Sequence, residues 1–188
     1  MKSNYLSVQG GKISPWDSFI KKQAQVINWD WRLLASLIFK ESQFEPRAES
    51  WSGAVGLMQV IPRIGREYGI HNLRNPHQNI EAGVRYIKWL QNYWKDEIQD
   101  ERERTKFVLA SYNVGIGHVQ DARKLALKYG RLPDIWDQNV AYYILRLSEE
   151  KFYTDQVVEF GYCRGIEPYN YVEDILEIYR QYSQISDI

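Results

Sequence analysis

The sequence predicts a mainly α-helical chain, and three observations carry that expectation. Apolar residues recur at helical spacing, most clearly at Ile80, Val84, Ile87, Leu90 and Trp94. Almost nothing alternates with the period of two that a half-buried strand requires. Helix punctuation is present as well, with Pro62 opening a segment that Gly69 closes and Gly130 ending another.

Taken in order, Ser14-Pro15 is a helix entry, Ser as cap and Pro at the first helical position. The helix it opens carries Phe19, Ile20, Gln23, Ala24 and Ile27 on one stripe. Asp30 can cap the next helix, which is apolar almost all round from Trp31 to Phe39 and so is expected to be buried on most sides. Glu41 arrives where that helix leaves the core, and Pro46 should stop it within a turn. From Ala48 to Gln59 the residues are mostly small or polar, as in a loop that folds close to a ligand. A short helix runs from Pro62 to about Tyr68, and the Ile80 to Trp94 stripe follows the Asn75-Pro76 turn. The charged run from Lys95 to Lys106 reads as a solvated connection. Phe107 to Tyr112 is a helical piece that Gly115 and Gly117 break, and Val119 to Tyr129 forms the next helix. Helices from about Asp137 to Lys151 and from Tyr171 to Tyr182 complete the set, with an irregular segment between them.

Composition bounds the function. Of 188 residues, 44% are hydrophobic and 26% charged, enough for a sizeable core. The formal charges balance at 24 against 24, so no global field steers the chain toward nucleic acid, and no nucleic-acid partner is expected. With 14 Tyr and 7 Trp the chain suits either a carbohydrate cleft or a ring-filled core. Cys163 has no partner for an intramolecular disulfide and is expected to pack. His71, His77 and His118 lack ligand spacing, so neither a metal nor a cofactor is expected. No run of about 18 apolar residues occurs. Residues 1–12 read as a linker from an upstream domain, and 13–188 as one domain.

The chemistry centres on Glu41. A glycosidic oxygen leaves only when protonated, and a carboxylic acid can protonate it near neutrality if desolvation raises its pKa. A helix end with Ile38 and Phe39 behind it offers such a setting; taken alone, this helix favours reading Glu41 as a surface residue in a last turn. Trp51 could stack on a sugar or simply pack. Ser42 has no neighbouring His that would make it a nucleophile.

Beyond these local readings, Glu41-Ser42, Phe44, Pro46, Ser50, Gly53-Ala54-Val55-Gly56-Leu57-Met58-Gln59, Ser111-Tyr112-Asn113-Val114-Gly115 and Tyr171-Val172 stand in an order that resembles the lytic transglycosylase domain of glycoside hydrolase family 23. Gly11 to Pro15 and Gly161 to Glu167 are similar to a membrane-bound subgroup of that family. The resemblance implies a lysozyme-like helical domain that cleaves the MurNAc to GlcNAc β-1,4 bond of peptidoglycan without water, leaving a 1,6-anhydro sugar. It implies Glu41 as acid and then base; Ser50 and Gln59 holding substrate amides or hydroxyls; Gly56, Leu57 and Met58 shaping the floor; and Tyr112, Asn113 and Tyr171 orienting acid and sugar. It further implies glycan strands and muropeptides as partners, an upstream solute-binding-like regulatory domain, and a place on the periplasmic face of the bacterial outer membrane. A monomer is expected. Two departures stand out: Ser111 where Ala is usual, and Pro168-Tyr169 where soluble members carry Thr-Arg.

Hydrolytic glycosidases need a second carboxylate about 5 to 9.5 Å from the first. Glu45 is turned off the helix by Pro46, whereas Glu49 could point anywhere. A hydrolytic muramidase and a catalytically silent glycan-binding module therefore stand as alternatives.

Overall fold

The computed structural model describes residues 12–184, so the 1–12 linker expectation lies, apart from Lys12, outside the described residues. Among them the helices are α1 (Asp17–Val26), α2 (Trp31–Ser42), α3 (Pro62–Glu67), α4 (Pro76–Trp94), α5 (Glu101–Val114), α6 (Ile116–Lys128), α7 (Ala141–Arg146), α8 (Glu150–Tyr153) and α9 (Ile166–Tyr182). Strand-like pairing among the described residues takes the form of isolated bridges, such as Glu49 with Val55 and Val55 with Val60, in agreement with the mainly α expectation. The chain divides into two compact units. One runs to Lys88 and resumes at Asp174; the other is Trp89–Glu173.

In the first unit α2 is the central rod, with every residue from Leu33 to Ile38 buried. Ile20 and Ala24 of α1, Ile27 just after it, and Ile80, Val84 and Ile87 of α4 are buried too, as their spacing predicts. Asp30 caps α2 by accepting from the Arg32 N–H at 2.8 Å. Side chains of the C-terminal half of α9 meet α2 and its cap. Tyr179 O–H donates to Asp30 at 3.2 Å, Phe39 and Tyr182 rings meet at 6.3 Å, and Lys40 pairs with Asp174 at 2.6 Å.

The second unit is built around aromatic residues. Trp94, Phe107 and Trp136 follow one another at centroid spacings of 5.4 and 5.6 Å. Burying Trp94 leaves its indole N–H needing an acceptor, and Ser111 Oγ supplies it at 3.0 Å. That is a physical reason for Ser at a position where Ala is usual. Cys163 is buried as expected, and burial pushes its thiol up to about 11.

Several boundaries are corrected. α1 begins at Asp17, because the Asp17 carboxylate accepts from the Ile13 and Ser14 N–H groups and holds Ser14-Pro15 outside the helix. The charged run is half helix: Asp100 caps α5 through the Arg102 and Glu103 N–H groups, which also lower its carboxyl pKa. Its Lys106 and Glu103 are only 15% exposed, pair at 2.7 Å, and fasten the turn that follows α6 through Asp137 and the Trp136 N–H. Gly117 does not break a helix but sits inside α6, where a Cβ would lie 2.5 Å from the Phe160 ring. The single helix expected over 137–151 is a wide turn, Trp136–Val140, then α7 and α8, because Asp137 is extended and Gln138 left-handed. α9 starts five residues before Tyr171, with Pro168 in its first turn, where a missing N–H costs nothing.

Candidate active site

Glu41 lies half-buried in the last turn of α2. The helix stops one residue later, and the stop comes from two consecutive left-handed residues, Gln43 (φ 52°) and Phe44 (φ 62°), upstream of Pro46. Gln43 N–H returns to Phe39 O at 2.8 Å. The Phe44 ring, set 5.8 Å from Phe39 and 6.5 Å from Trp16, offsets the strain of a bulky residue in this region.

Ser42 joins this helix end to the small-residue loop. Its hydroxyl donates to Leu57 O at 2.8 Å, with Ile38 O a weaker second acceptor at 3.2 Å. The loop is closed by its own groups. Ser50 Oγ accepts from Ala54 N–H at 2.9 Å, and Gln59, at φ 48°, spends its amide hydrogens on Gly56 O at 2.9 Å and Ala48 O at 3.2 Å. Leu57 and Met58 are fully buried.

The residue that sequence reasoning missed is Asn79 on α4, wholly buried. Its Oδ1 accepts from Met58 N–H at 2.8 Å while Nδ2 donates to Val55 O at 2.7 Å and Leu73 O at 3.0 Å. One amide thus fixes both sides of the Gly56 to Met58 turn. Gly56 (φ 78°) has no room for a side chain, since a Cβ would collide with the Asn79 amide. One turn along α4, a Cβ at Gly83 would lie 2.5 Å from Met58 Sδ. The available signal was an Asn and a Gly four apart on the buried face of α4, on one side of a helix by geometry.

Tyr112 and Asn113 lie in the last turn of α5, half-buried and exposed respectively, ahead of Gly115 at φ 88°. Tyr171 is buried on α9. These three belong to the second unit, and Glu41, Ser50, Gly56, Leu57, Met58 and Gln59 to the first. The rival carboxylates are occupied: Glu49 pairs with Arg74 at 2.8 Å, and Glu45 accepts from Arg47 N–H at 2.9 Å. Trp51 does not pack; its relative exposure is 107%.

The family model described as the transglycosylase SLT domain matches residues 18–133, more than half of the chain. The chain belongs to the transglycosylase SLT domain family. The match includes every expected site residue except Tyr171. Among curated proteins, this SLT domain is 39% identical over 168 residues to membrane-bound lytic murein transglycosylase F of Marinobacter nauticus, covering 89% of the chain and 33% of that relative. The protein of the same name from Desulfosudis oleivorans is 39% identical over 160 residues, covering 85% and 34%. The chain therefore spans about a third of the length of the curated relatives it matches. Two solved structures share the fold at TM-score 0.61 and 20% identity, each covering 92% of this chain and 25% of the other. They are an inactive mutant of lytic transglycosylase Slt from Pseudomonas aeruginosa and the 70 kDa soluble lytic transglycosylase from Escherichia coli. The lysozyme-like helical expectation agrees with these neighbours.

Proposed function

We propose that this SLT domain is a peptidoglycan lytic transglycosylase in which Glu41 works alone. The observation that carries the reading is the junction at the end of α2, where a half-buried carboxyl leaves an apolar helix beside a hydroxyl that anchors the Gly56 to Gln59 loop. Glu41 donates its proton to the bridging oxygen as the C1–O bond of the MurNAc unit breaks. The resulting carboxylate then takes the proton of the C6 hydroxyl of the same sugar, whose oxygen bonds to C1 and closes the 1,6-anhydro ring. A tethered nucleophile needs little further loss of freedom, so water is not required. Occupation of Glu49 by Arg74 supports this route over a hydrolytic one.

In this reading Tyr112, Asn113 and Tyr171 orient the sugar, and Ser50 and Gln59, whose groups also close the loop, contact its substituents. The names of the relatives support a membrane-bound parent protein, and we place its site of action at the periplasmic face of the outer membrane, with a regulatory domain upstream of residue 13. Among the described residues no helix is long and apolar enough to cross a membrane.

The test is mass spectrometry of sacculi digested by the protein. Anhydro-ended muropeptides are expected from the native sequence and from Glu49→Gln, and none above background from Glu41→Gln. Reducing-end products from the native sequence would sink the proposal in favour of hydrolysis, and undiminished release by Glu41→Gln would remove the catalytic assignment.

A further inference from the structure

Trp51 is the most exposed large apolar side chain among the described residues, and it makes no hydrogen bond, ring contact or cation contact with any of them. The fold gains little from this indole.

Its backbone, in contrast, is closely held. Glu49 and Val55 pair as an antiparallel bridge, and Gly56 N–H to Ala48 O at 2.8 Å and Ser50 N–H to Ala54 O at 2.9 Å close a short hairpin on either side of that pair. The tip is a β-turn, with Gly53 N–H returning to Ser50 O at 2.9 Å and Gly53 left-handed at φ 81°. Ser50 Oγ accepts from Ala54 N–H and meets Ser52 Oγ at 2.9 Å. One arm is fastened by the ion pair of Glu49 with Arg74, the other by the bridge of Val55 with Val60. Turns favour Gly, Pro, Asn, Asp and Ser, each for its backbone or local hydrogen bonds. Nothing in this turn calls for Trp at its second residue.

The hairpin grows out of the loop at the candidate site. Ala48 O, at its base, also accepts from the Gln59 amide at 3.2 Å, and Ser42, next to Glu41, holds Leu57 O. Three residues at about 3.3 Å each carry Trp51 at most about 10 Å beyond Ala48, farther than the width of one sugar ring.

A saccharide suits what the tip displays: its C–H face lies on an indole, and its hydroxyls meet the Ser50 and Ser52 hydroxyls, which can donate or accept. A bilayer suits it less. Residues 50–53 hold one apolar side chain and no Lys or Arg, whereas interfacial attachment draws on a broad apolar face flanked by basic residues.

We propose that Trp51 is a glycan-stacking residue, whose indole holds a pyranose ring of the peptidoglycan strand outside the pair that Glu41 separates. The inference rests on the lytic reading for its choice of glycan. A contact remote from the reacting atoms is made equally in the ground state and the transition state, so it lowers KM and leaves kcat unchanged.

The experiment uses the full chain, with Glu41 intact and as Glu41→Gln, each carrying Trp51→Ala or Trp51→Phe; the probes are purified sacculi and phosphatidylglycerol vesicles. Trp51→Ala is expected to raise KM for anhydro-muropeptide release about fivefold at unchanged kcat, the size of one aromatic stacking contact. Sacculus affinity in the Glu41→Gln background should fall by the same factor. Trp51→Phe should recover part of both, and the midpoint of thermal unfolding should hold in every Trp51 variant. A change below twofold in KM and in sacculus affinity overturns the proposal, as does a lowered unfolding midpoint or a loss confined to kcat. Vesicle binding that Trp51→Ala abolishes while sacculus affinity holds overturns it in favour of a membrane contact. Failure of the lytic reading is separate: anhydro products are then absent from the native chain, while sacculus affinity in the Glu41→Gln series still falls with Trp51→Ala.

Discussion

The Asn79 carboxamide joins three backbone groups that are otherwise unrelated in sequence: the Met58 N–H, the Val55 carbonyl and the Leu73 carbonyl. Asn79→Ala strands the Met58 N–H and the Leu73 carbonyl, while the Val55 carbonyl keeps the Val60 N–H at 3.0 Å; each unmade buried hydrogen bond costs about 1–3 kcal/mol before relaxation. The expected loss is about 3 kcal/mol in denaturant unfolding, together with a fall in sacculus cleavage larger than the folded fraction explains. Asn79→Asp separates the two roles, since it keeps the acceptor for Met58 and removes the donors; activity should fall less than in the Ala variant. In the second unit, His118 lies half-buried against Phe160, with Nδ1 buried and unpartnered among the described residues. Burial lowers its pKa below the ordinary 6.5, and Asp121 opposes the shift in part. A depressed histidine favours the neutral form in the fold, so its contribution is fully present above about pH 6.5 and is lost as pH falls through the depressed value. The midpoint of thermal unfolding should therefore drop on acidification from neutral pH, and His118→Phe should flatten that drop; parallel profiles for the two proteins would show that other groups control it.

At the scale of elements, both units capture an irregular segment by the same device. A helix presents a polar side chain and a glycine four residues apart, Asn79 with Gly83 on α4 and Asp121 with Gly117 on α6. The polar group accepts the N–H of one segment residue, Met58 or Phe160, and the glycine receives that residue's own side chain. Buried Asp121 also takes the Glu159 N–H at 2.9 Å. The two glycines differ in how a methyl could be accommodated. Met58 is fully buried and Phe160 is 60% exposed, so Phe160 can swing into solvent and Met58 cannot. Gly83→Ala should cost about 1–3 kcal/mol, the range for overpacking a filled core, and Gly117→Ala clearly less, read from paired denaturant titrations. This device also marks the limit of what the sequence disclosed. Helices with an uninterrupted stripe, such as α2 and α4, were legible because one repeating pattern specified burial. Glu41, Ser50, Leu57, Met58 and Gln59 stand out as candidates because they lie in motifs, although the work of Ser50 and Gln59 in closing the loop has no such signal. Asn79, Asp121 and the capture by Ser42 of Leu57 O were hidden, since each acts on partners distant in sequence and has no local signature. The breaks in 137–151 were missed because a left-handed Gln138 is set by tertiary contacts of Lys106 and Glu103, and no residue in the segment itself demands it.

For the molecule as a whole, the division into units falls inside helices rather than loops: α4 runs unbroken through Lys88 and α9 through Glu173. The chain is thus carried from one unit to the other by hydrogen-bonded backbone at both crossings. The charge of the whole chain has a separate consequence for the proposed encounter with the wall. Formal charges cancel at 24 against 24, and the sequence pI is about 6.8, so near neutrality no long-range potential draws the protein to an anionic polymer. On the proposed function, attraction must then come from groups in contact range of the glycan. Local pairs and long-range fields respond differently to salt, because screening acts chiefly on charges separated by more than the Debye length, which shrinks from about 30 Å at 0.01 M to about 8 Å at 0.15 M. On the proposed activity, the initial rate of anhydro-muropeptide release at limiting sacculus concentration is therefore expected to change by less than about twofold between these two salt concentrations. A fall of tenfold or more over the same range would mean that the charges are gathered into a basic face strong enough to steer association, and that the balanced total conceals it.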